Sequence, residues 1–365
     1  MKKVVGIILN NSKKNELDIK NIENKGDPHT AIASKYRLID FPLSNMANSG
    51  IRNVAVMLGN YSQKLTEHIG SGKDYGLERN INGLLYLEED YLTLQGLGTP
   101  NDLRDLLKNI DYLTNIKEEY ILVSGSNFVA NIDYKKIFNE ECLEDCDMLL
   151  LYKKNDQKLR FVNQVVLNAK GVFEDIYYVT EETVVENLFM DTFFIKKEVL
   201  IQMLRAANRS GILCMNAFLR KVKREITIKA YEYTEFAYYI DSPKSYYEAN
   251  MAFLDQKIWQ QIFNVSRRLI YTKNSDLPPT AYGPRAVVEN SLLTSGDEIY
   301  GQVKNSVIFR NVKILDNSTI ENCIIGDNSI IEENVHLKNI IIEPNCRISS
   351  NTTLISSPEN PMVIN

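Results

Sequence analysis

The chain has 365 residues, of which 44% are hydrophobic and 24% charged, and its formal net charge is −5 at pH 7. This composition is typical of globular domains that fold in water, and the length is sufficient for two domains with hydrophobic cores. The weak negative charge excludes a general electrostatic attraction to nucleic acids or anionic membranes. A phosphorylated ligand would therefore need a local group of basic side chains.

The cysteines indicate a reducing compartment. The chain has five, without paired metal-ligand spacing, and no histidines accompany the closest pair, Cys142 and Cys146. The apolar run from Val4 to Leu9 is too short for a signal peptide or a membrane span. We therefore expect reduced, mostly buried thiols, no metal site and a cytoplasmic location.

Short apolar runs with β-branched residues predict the strands of the first domain. They cover Val4 to Leu9, Asn53 to Leu58 and Tyr120 to Ser124, and continuous apolar runs are typical of parallel strands buried on both faces. A helix is predicted from Gln63 to Ile69, and a second amphipathic helix is predicted from Leu103 onward. This pattern predicts an α/β fold.

The segment from Lys35 to Gly50 reads K-Y-R-L-I-D-F-P-L-S-N-M-A-N-S-G. An ordinary junction between a loop and a helix could use the same residue types, since Pro42 suits a helix N-terminus and Gly50 a C-terminus. The string nevertheless resembles, nearly residue for residue, the signature of bacterial and plant glucose-1-phosphate adenylyltransferases. That resemblance implies a Rossmann-like nucleotidyltransferase domain of the GT-A-like type.

Several positions depart from the pattern that this resemblance implies. In the family, a glycine-rich loop after the first strand wraps the nucleotide triphosphate, because backbone N–H groups can approach phosphate closely only without side chains. The matching segment here has no glycine and carries Glu16 at the family's arginine position. A second basic position of the family is Asp27. The departing positions are Asn10, Asn11, Ser12, Glu16, Asp27, Asn127 and Val179.

Two further departures concern the metal and the sugar phosphate. Asn127 matches the family's first Mg²⁺-binding aspartate, and an amide oxygen supplies no negative charge to a site that depends on carboxylates. Asp241 matches the second and is retained, although it could equally be a helix N-cap. Val179 matches the lysine that binds the sugar phosphate, just after a strand. Asp191 lies in a strand whose small residues leave room for glucose in the family.

An internal repeat of 17 residues dominates the last part of the chain. The apolar columns are Val303, Ile320, Leu337 and Leu354; Ile308, Ile325 and Ile342; and Ile314, Ile331 and Ile348. The asparagine columns are Asn305, Asn322 and Asn339; Asn311, Asn328 and Asn345; and Asn317, Asn334 and Asn351. Three strands and three left-handed asparagine corners per period predict a parallel β-helix of hexapeptide type, which the resemblance makes left-handed.

We therefore predict three segments. Residues 1–255 form the nucleotidyltransferase-like domain with a degenerate active site, residues 256–284 a linker, and residues 285–365 the left-handed β-helix. The mixed polar composition from Gln256 to Leu277 and the prolines at 278, 279 and 284 favour a linker there. The solenoid is expected to dock against its own domain or another subunit.

The departures favour a non-catalytic role. The chain is similar to GlgD-type proteins, which resemble the catalytic GlgC-type subunit but lack its active-site residues. This resemblance implies a regulatory subunit without a cofactor, assembled with a catalytic homologue into a hetero-oligomer, most simply a tetramer. An active adenylyltransferase, which would need Mg²⁺, is the alternative. An acyltransferase is disfavoured, since His336 is the only histidine in the repeat and no neighbouring motif supports it.

The basic residues around the signature suggest an effector site. In the resembling enzymes such residues bind a phosphorylated activator, and Lys25 and Arg37 occupy matching positions. Solvated surface charge is the alternative interpretation of both residues. We predict a sugar-phosphate effector site at Lys25 and Arg37.

Overall fold

The computed structural model describes residues 1, 3–9, 27–59, 62–79, 83–90, 103–141 and 145–365. The predicted positions Asn10, Asn11, Ser12, Glu16 and Lys25 lie outside the described residues. Asp27, Arg37, Asn127, Val179, Asp191 and Asp241 are described. None of the helices in these described ranges is long and apolar enough to cross a membrane.

Strands and helices alternate in the first part of the chain. Its strands are β1 (Val4–Ile8), β2 (Ala31–Ile32), β3 (Tyr36–Arg37), β4 (Val54–Leu58), β5 (Leu84–Glu88), β6 (Tyr120–Ser124), β7 (Phe128–Ala130), β8 (Met148–Lys154), β9 (Lys158–Leu159), β10 (Val162–Leu167), β11 (Phe173–Val179), β12 (Thr183–Val184), β13 (Asn187–Lys196), β14 (Ile228–Glu232) and β15 (Ala237–Tyr239). Its helices are α1 (Asp40–Asn48), α2 (Ser62–Ile69), α3 (Leu103–Lys108), α4 (Ile110–Asn115), α5 (Tyr134–Glu140), α6 (Lys197–Ser210), α7 (Met215–Val222), α8 (Pro243–Ala252) and α9 (Gln256–Phe263), with a 3₁₀ turn at Lys73–Tyr75.

The central sheet has the strand order β11-β10-β13-β6-β1-β4-β5, and β8 joins it through β13 and carries β14 on its other side. Strands β1, β4, β5 and β6 are parallel to their neighbours in that group, whereas β13 runs antiparallel to β6. The three strands predicted from apolar runs are thus confirmed as β1, β4 and β6. A parallel group with an antiparallel extension confirms the α/β class.

Two hydrophobic layers cover the sheet, one on each face. Successive side chains of a strand point to opposite faces, so Val4 and Ile8 of β1 lie in one buried cluster and Val5 and Ile7 in the other. Residues of α1, α2 and α5 belong to the first cluster, and residues of α3, α4, α6 and α7 to the second. This burial on both sides explains why the strands are continuously apolar.

The end of the chain is a β-helix, as predicted. Its strands are β16 (Ala281–Tyr282), β17 (Val287–Glu289), β18 (Glu298–Ile299), β19 (Gln302–Lys304), β20 (Val307–Ile308), β21 (Lys313–Ile314), β22 (Thr319–Glu321), β23 (Ile324–Ile325), β24 (Ile330–Ile331), β25 (His336–Lys338), β26 (Ile340–Ile342), β27 (Arg347–Ile348), β28 (Thr353–Ile355) and β29 (Met362–Ile364). They form three parallel sheets, β16-β18-β21-β24-β27, β17-β19-β22-β25-β28 and β20-β23-β26-β29. The fold class, a nucleotidyltransferase-like domain followed by a left-handed β-helix, is confirmed.

The predicted corners and columns are also confirmed. Each of the nine predicted asparagines has a positive φ, between 47° and 64°, and their side chains form ladders from coil to coil, for example from Asn317 to Asn334 and from Asn334 to Asn351, both at 3.3 Å. The 17-residue step is irregular only near the ends. Val288 pairs with Val303, a step of 15 residues, and Ile341 pairs with Val363, a step of 22.

The segment predicted as a linker contains helix α9. Its Phe263 lies among the rings of Tyr36, Phe41, Phe253 and Trp259, with centroid distances of 4.7, 5.9, 5.4 and 4.3 Å. Amphipathic spacing on α9 was hidden by its glutamines and lysine, so the linker assignment missed this helix.

The β-helix docks against its own first domain, as expected. Val307, Phe309, Ile324 and Ile341 belong to the same buried cluster as the aromatic rings around Phe263. The β20-β23-β26-β29 sheet therefore faces the signature segment and helices α8 and α9.

The asparagine corners allow a direct stability test. At Asn334, where φ is 56°, alanine should lower the free energy of unfolding by about 1 kcal/mol more than glycine, because only glycine adopts this conformation without a steric cost. Thermal or denaturant unfolding of the two variants measures the difference. The matched pair at the neighbouring exposed Glu333 should show the opposite order, and the same order at both positions would contradict this interpretation.

Candidate functional site

The structure brings the two predicted metal-ligand positions together. Strand β7 pairs antiparallel with β15, with Phe128 opposite Tyr239. The amide of Ile240 donates to the carbonyl of Asn127 at 2.8 Å. Asn127 and Asp241 therefore lie next to each other beyond the paired ends of two strands, although they are far apart in sequence.

These two side chains do not form a set of donors suited to Mg²⁺. Asn127 is 2% exposed, and its amide oxygen accepts no hydrogen bond from the described residues. Asp241 Oδ1 accepts a hydrogen bond from Ser245 Oγ at 3.1 Å. Within the described ranges, no group of three or more His, Cys, Asp or Glu side chains could hold a metal ion. One carboxylate and one amide leave the site with a single negative charge, which fits Mg²⁺ poorly.

Helix α8 is capped by the residue after Asp241, whereas one of our alternative interpretations made Asp241 itself the N-cap. Ser242 is the N-cap of α8, and its hydroxyl accepts a hydrogen bond from the amide of Ser245, whose own hydroxyl accepts one from the amide of Ser242. This reciprocal pair is a capping box. The N-cap interpretation of Asp241 is therefore wrong.

The sequence predicted that Val179 lies just after a strand. In the structure, Val179 lies within the strand, at its end. It is the last residue of β11 and pairs with Val162 of β10. Its side chain is partly buried against the core cluster on one face of the sheet. The strand runs longer than its sequence suggested because Tyr178 and Val179 still have a pairing partner. The prediction that Val179 follows this strand is therefore wrong.

Asp191 occupies the bottom of the predicted sugar pocket. It is 5% exposed, has a φ of 50°, and lies where the pairing register between β13 and β8 shifts. With Phe161, Leu188 and Tyr239, it lines a narrow crevice. A left-handed backbone carrying a side chain is uncommon, whereas glycine adopts it freely. The carboxylate therefore projects into space that a glycine would leave open.

The two carboxylates perturb the tyrosine between them. The pKa of Tyr239 lies well above its ordinary value, first because burial disfavours the phenolate and then because Asp241 and Asp191 are close. Burial also raises the pKa of Tyr178 to about 12, with Asp191 again contributing. The crevice is thus lined by one tyrosine, Tyr239, and one acidic residue, Asp191, and among the described residues no lysine or arginine lines it. A sugar phosphate would find no counter-charge there.

Asp27 is also placed where a nucleotide could not use it. It is 1% exposed, and its backbone carbonyl accepts a hydrogen bond from the amide of Thr30 at 2.9 Å. The residue forms part of a turn before β2. Its side chain belongs to the interior and is not presented to solvent.

A larger cavity of about 850 Å³ lies between the signature segment, α2 and the β-helix. Its basic lining side chains are Arg37, Lys64, Lys273 and Arg310. Its acidic ones are Glu67, Asp276, Asp327 and Glu343. The predicted effector residue Arg37 thus lines a cleft, which we call the interdomain cleft.

Arg37 is held by partners in both domains. Its guanidinium donates to the carbonyl of His29 at 2.9 Å and to Asp327 Oδ2 of the β-helix at 3.1 Å. Its backbone amide donates to Asp40 Oδ2 at 2.8 Å. The second predicted effector residue, Lys25, is not described, so the structure brings only Arg37 to this cleft.

Sequence reasoning missed the polar cluster beneath the cleft. Asp40 is fully buried, and its Oδ1 lies 2.6 Å from both Tyr75 Oη and His68 Nε2. His68 lies on helix α2 and Tyr75 follows that helix, both beyond strand β4, so no local pattern linked them to Asp40. The cluster holds the backbone of the segment that carries Arg37.

Comparisons with known proteins agree with this architecture. The sequence profile described as nucleotidyl transferase matches residues 25–161, and the profile described as GlmU-like, C-terminal hexapeptide matches residues 279–360. The chain is 29% identical over 282 residues to the glycogen biosynthesis protein GlgD of Bacillus subtilis (strain 168), covering 77% of this chain and 72% of that protein. It is 28% identical to GlgD of Geobacillus stearothermophilus, with coverages of 80% and 76%.

A catalytically named relative decides the family. The glucose-1-phosphate adenylyltransferase of Lachnospira eligens is 30% identical over 300 residues, covering 79% of this chain and 68% of that protein. The chain belongs to the glucose-1-phosphate adenylyltransferase family. Within it, the relatives named GlgD agree with the resemblance noted from the sequence.

The positive φ of Asp191 yields a second prediction. Asp191→Gly and Asp191→Ala both remove the buried carboxylate, but only glycine relieves the left-handed backbone. The glycine variant should therefore be more stable than the alanine variant by about 1 kcal/mol. Equilibrium unfolding of both variants gives this difference directly. Equal stability would show that the backbone at residue 191 is not held at positive φ.

Proposed function

We propose that this chain is a regulatory or structural subunit of glucose-1-phosphate adenylyltransferase in glycogen (alpha-glucan) biosynthesis. In this role it modulates a homologous catalytic subunit that makes ADP-glucose from ATP and glucose 1-phosphate. The observation that carries the proposal is that Asn127 lies beside Asp241, at a position where the family has a metal-binding carboxylate. The names of its GlgD relatives support the link to glycogen biosynthesis.

The chemistry explains why this one change matters. Nucleotidyl transfer depends mainly on positioning and on neutralising the charge of the phosphates. Removing one group that stabilises charge in the transition state commonly lowers a rate by about 10²–10³. Here Asn127 lacks that charge, Asp191 narrows the sugar pocket, and the segment after the first strand, Asn10 to Leu17, has Glu16 and no glycine. Together these features favour a subunit that does not turn over substrate by itself.

The scaffold argues for a role that needs the folded shape. The buried strands, the signature and the regular β-helix are all retained, whereas the residues expected to contact ligands have changed. A chain that keeps its shape without its chemistry is most simply an interaction partner. A homologous catalytic subunit is the natural counterpart, in a hetero-oligomer and most simply a tetramer.

The interdomain cleft is the proposed place of effector response. Arg37 and, from the sequence, Lys25 match family positions that bind a phosphorylated activator. The cleft borders both domains, so a sugar phosphate bound there could alter how the β-helix is held. This effector role is part of the proposed regulatory function.

Restoring the missing carboxylate should not restore catalysis. Asn127→Asp places a second carboxylate beside Asp241, but the triphosphate would still meet Glu16 and a segment without glycine. ADP-glucose formation by the purified variant should stay at background, with an active catalytic homologue as the positive control. Thermal unfolding of the variant, recorded alongside, separates a loss of fold from an absence of chemistry. Clear turnover would favour the alternative of an active enzyme.

Assembly with a catalytic homologue is the central test. Co-expression or mixing should give a stable hetero-oligomer by size-exclusion chromatography with light scattering. The assembly should differ from the catalytic subunit alone in maximal rate or apparent substrate affinity, because the partner's shape constrains it. Clean separation of the two chains at micromolar concentration, with unchanged kinetics on mixing, would contradict the proposal.

A further inference from the structure

Two side chains of the β-helix contact the segment that carries Arg37. The carboxylate of Asp327 accepts a hydrogen bond from the guanidinium of Arg37. The guanidinium of Arg310 donates hydrogen bonds to the backbone carbonyls of Lys35 at 3.3 Å and Lys273 at 3.1 Å. Four of these residues, Arg37, Lys273, Arg310 and Asp327, line the interdomain cleft. The ion pair between Arg37 and Asp327 is partly shielded, with side-chain exposures of 29% and 17%.

Asp327 is positioned by the β-helix itself. It precedes the left-handed corner Asn328, whose φ is 60°. Its Oδ1 accepts a hydrogen bond from the backbone amide of Arg310 at 3.0 Å, and its carbonyl accepts one from the amide of Asn345 at 2.8 Å. These two contacts with the neighbouring coils hold the carboxylate and the backbone of Asp327, and Oδ2 remains available to Arg37.

The guanidinium of Arg310 lies near both Arg37 and Asp327, since both influence its pKa. Arg310 Nε is buried and has no hydrogen-bond partner among the described residues. Burial lowers the pKa of Arg310, and the nearby Asp327 opposes that effect while Arg37 adds to it. A buried N–H without a partner costs free energy unless an acceptor can reach it. The guanidinium of Arg37 and the backbone amide of Arg310 thus both donate to the carboxylate of Asp327, and Nε of Arg310 remains available to an anion.

We propose that Asp327 is a built-in anion that occupies the phosphate position of the interdomain cleft and must release Arg37 before an external phosphate group can bind. This inference deepens the effector role proposed above and rests on it. In the closed state, the carboxylate satisfies Arg37 and joins the domains. In the open state, a phosphate oxygen replaces it on Arg37 and can also reach Arg310.

The balance of charge in the cleft explains why one carboxylate can decide the affinity. Among the described residues, four Lys or Arg side chains, four Asp or Glu side chains and the imidazoles of His29 and His68 line the cavity, so a phosphate gains little from the net charge. Its binding depends on which basic groups are free locally. Like-charge repulsion from a fixed neighbouring carboxylate weakens the binding of an anion in a partly desolvated site, and the ligand must overcome it.

The test measures inorganic phosphate binding to the isolated full chain by titration calorimetry. Asp327→Asn keeps the size of the side chain and an oxygen for the amide of Arg310, but removes the charge. It should bind phosphate at least about tenfold more tightly than the unmodified chain. Adding Arg37→Ala to Asp327→Asn should abolish that gain, because the freed guanidinium is then absent.

Asp316→Asn is the matched control. Asp316 also precedes a left-handed asparagine corner, Asn317, and forms an ion pair with Arg285 at 3.3 Å, but it does not line the cleft. This variant should leave phosphate affinity unchanged. Asp327→Ser, which can still accept from the amide of Arg310, serves if Asp327→Asn does not fold, as judged by thermal unfolding.

Several outcomes would overturn the inference. Unchanged or weaker phosphate binding by the Asp327 variants would show that the ion pair only joins the domains. An equal gain in Asp316→Asn would assign the effect to net charge. Absence of binding in every variant would show that the cleft has no phosphate position for Asp327 to occupy. None of these measurements requires a catalytic partner, so they fail or succeed independently of hetero-oligomer formation.

Discussion

The two domains meet in one buried cluster, which contains Phe263 and residues of the signature segment, of α8 and of the β-helix. Four rings surround Phe263 at centroid distances of 4.3–5.9 Å, and two of them, Tyr36 and Phe41, belong to the signature segment. Each such pair contributes about 0.5–1.5 kcal/mol beyond the burial of its area. A partly exposed ion pair contributes about 0–1 kcal/mol. The buried cluster, to which Val307, Phe309 and Ile341 of the β-helix belong, therefore stabilises the docking of the two domains more than the ion pair of Arg37 and Asp327 does.

The features that were predictable from sequence are those encoded locally and repeatedly. Each coil of the β-helix repeats one pattern of aliphatic residues and asparagines, so the period, the columns and the left-handed corners all followed from counting. Junctions are different, because their contacts depend on elements distant in sequence. Helix α9 resembled a linker because half of its residues are polar, and its Ile262 and Phe263 are buried in a cluster formed by elements that are distant in sequence, among them the signature and the β-helix.

The candidate site shows the same division. Resemblance to a family placed Asn127 and Asp241 together, and the pairing of β7 with β15 explains how. Single-residue placement was less predictable: the helix cap is Ser242, and β11 extends to Val179. The left-handed backbone at Asp191 and the approach of Asp327 to Arg37 depend on tertiary geometry, and no sequence pattern indicated either.

The signature persists for a reason that does not require catalysis. Asp40 is fully buried. Its carboxylate accepts hydrogen bonds from the amide of Arg37 and the hydroxyl of Tyr75, and it contacts a ring nitrogen of His68. Leaving a buried polar group without its partners costs about 1–3 kcal/mol, and more for a charged group. The carboxylate of Asp40 thus holds the Lys35–Arg37 backbone, Phe41 packs on Phe263, and the β-helix docks on the result. A subunit that needs only this contact between the signature segment and the β-helix would keep the signature even if its nucleotide site changed.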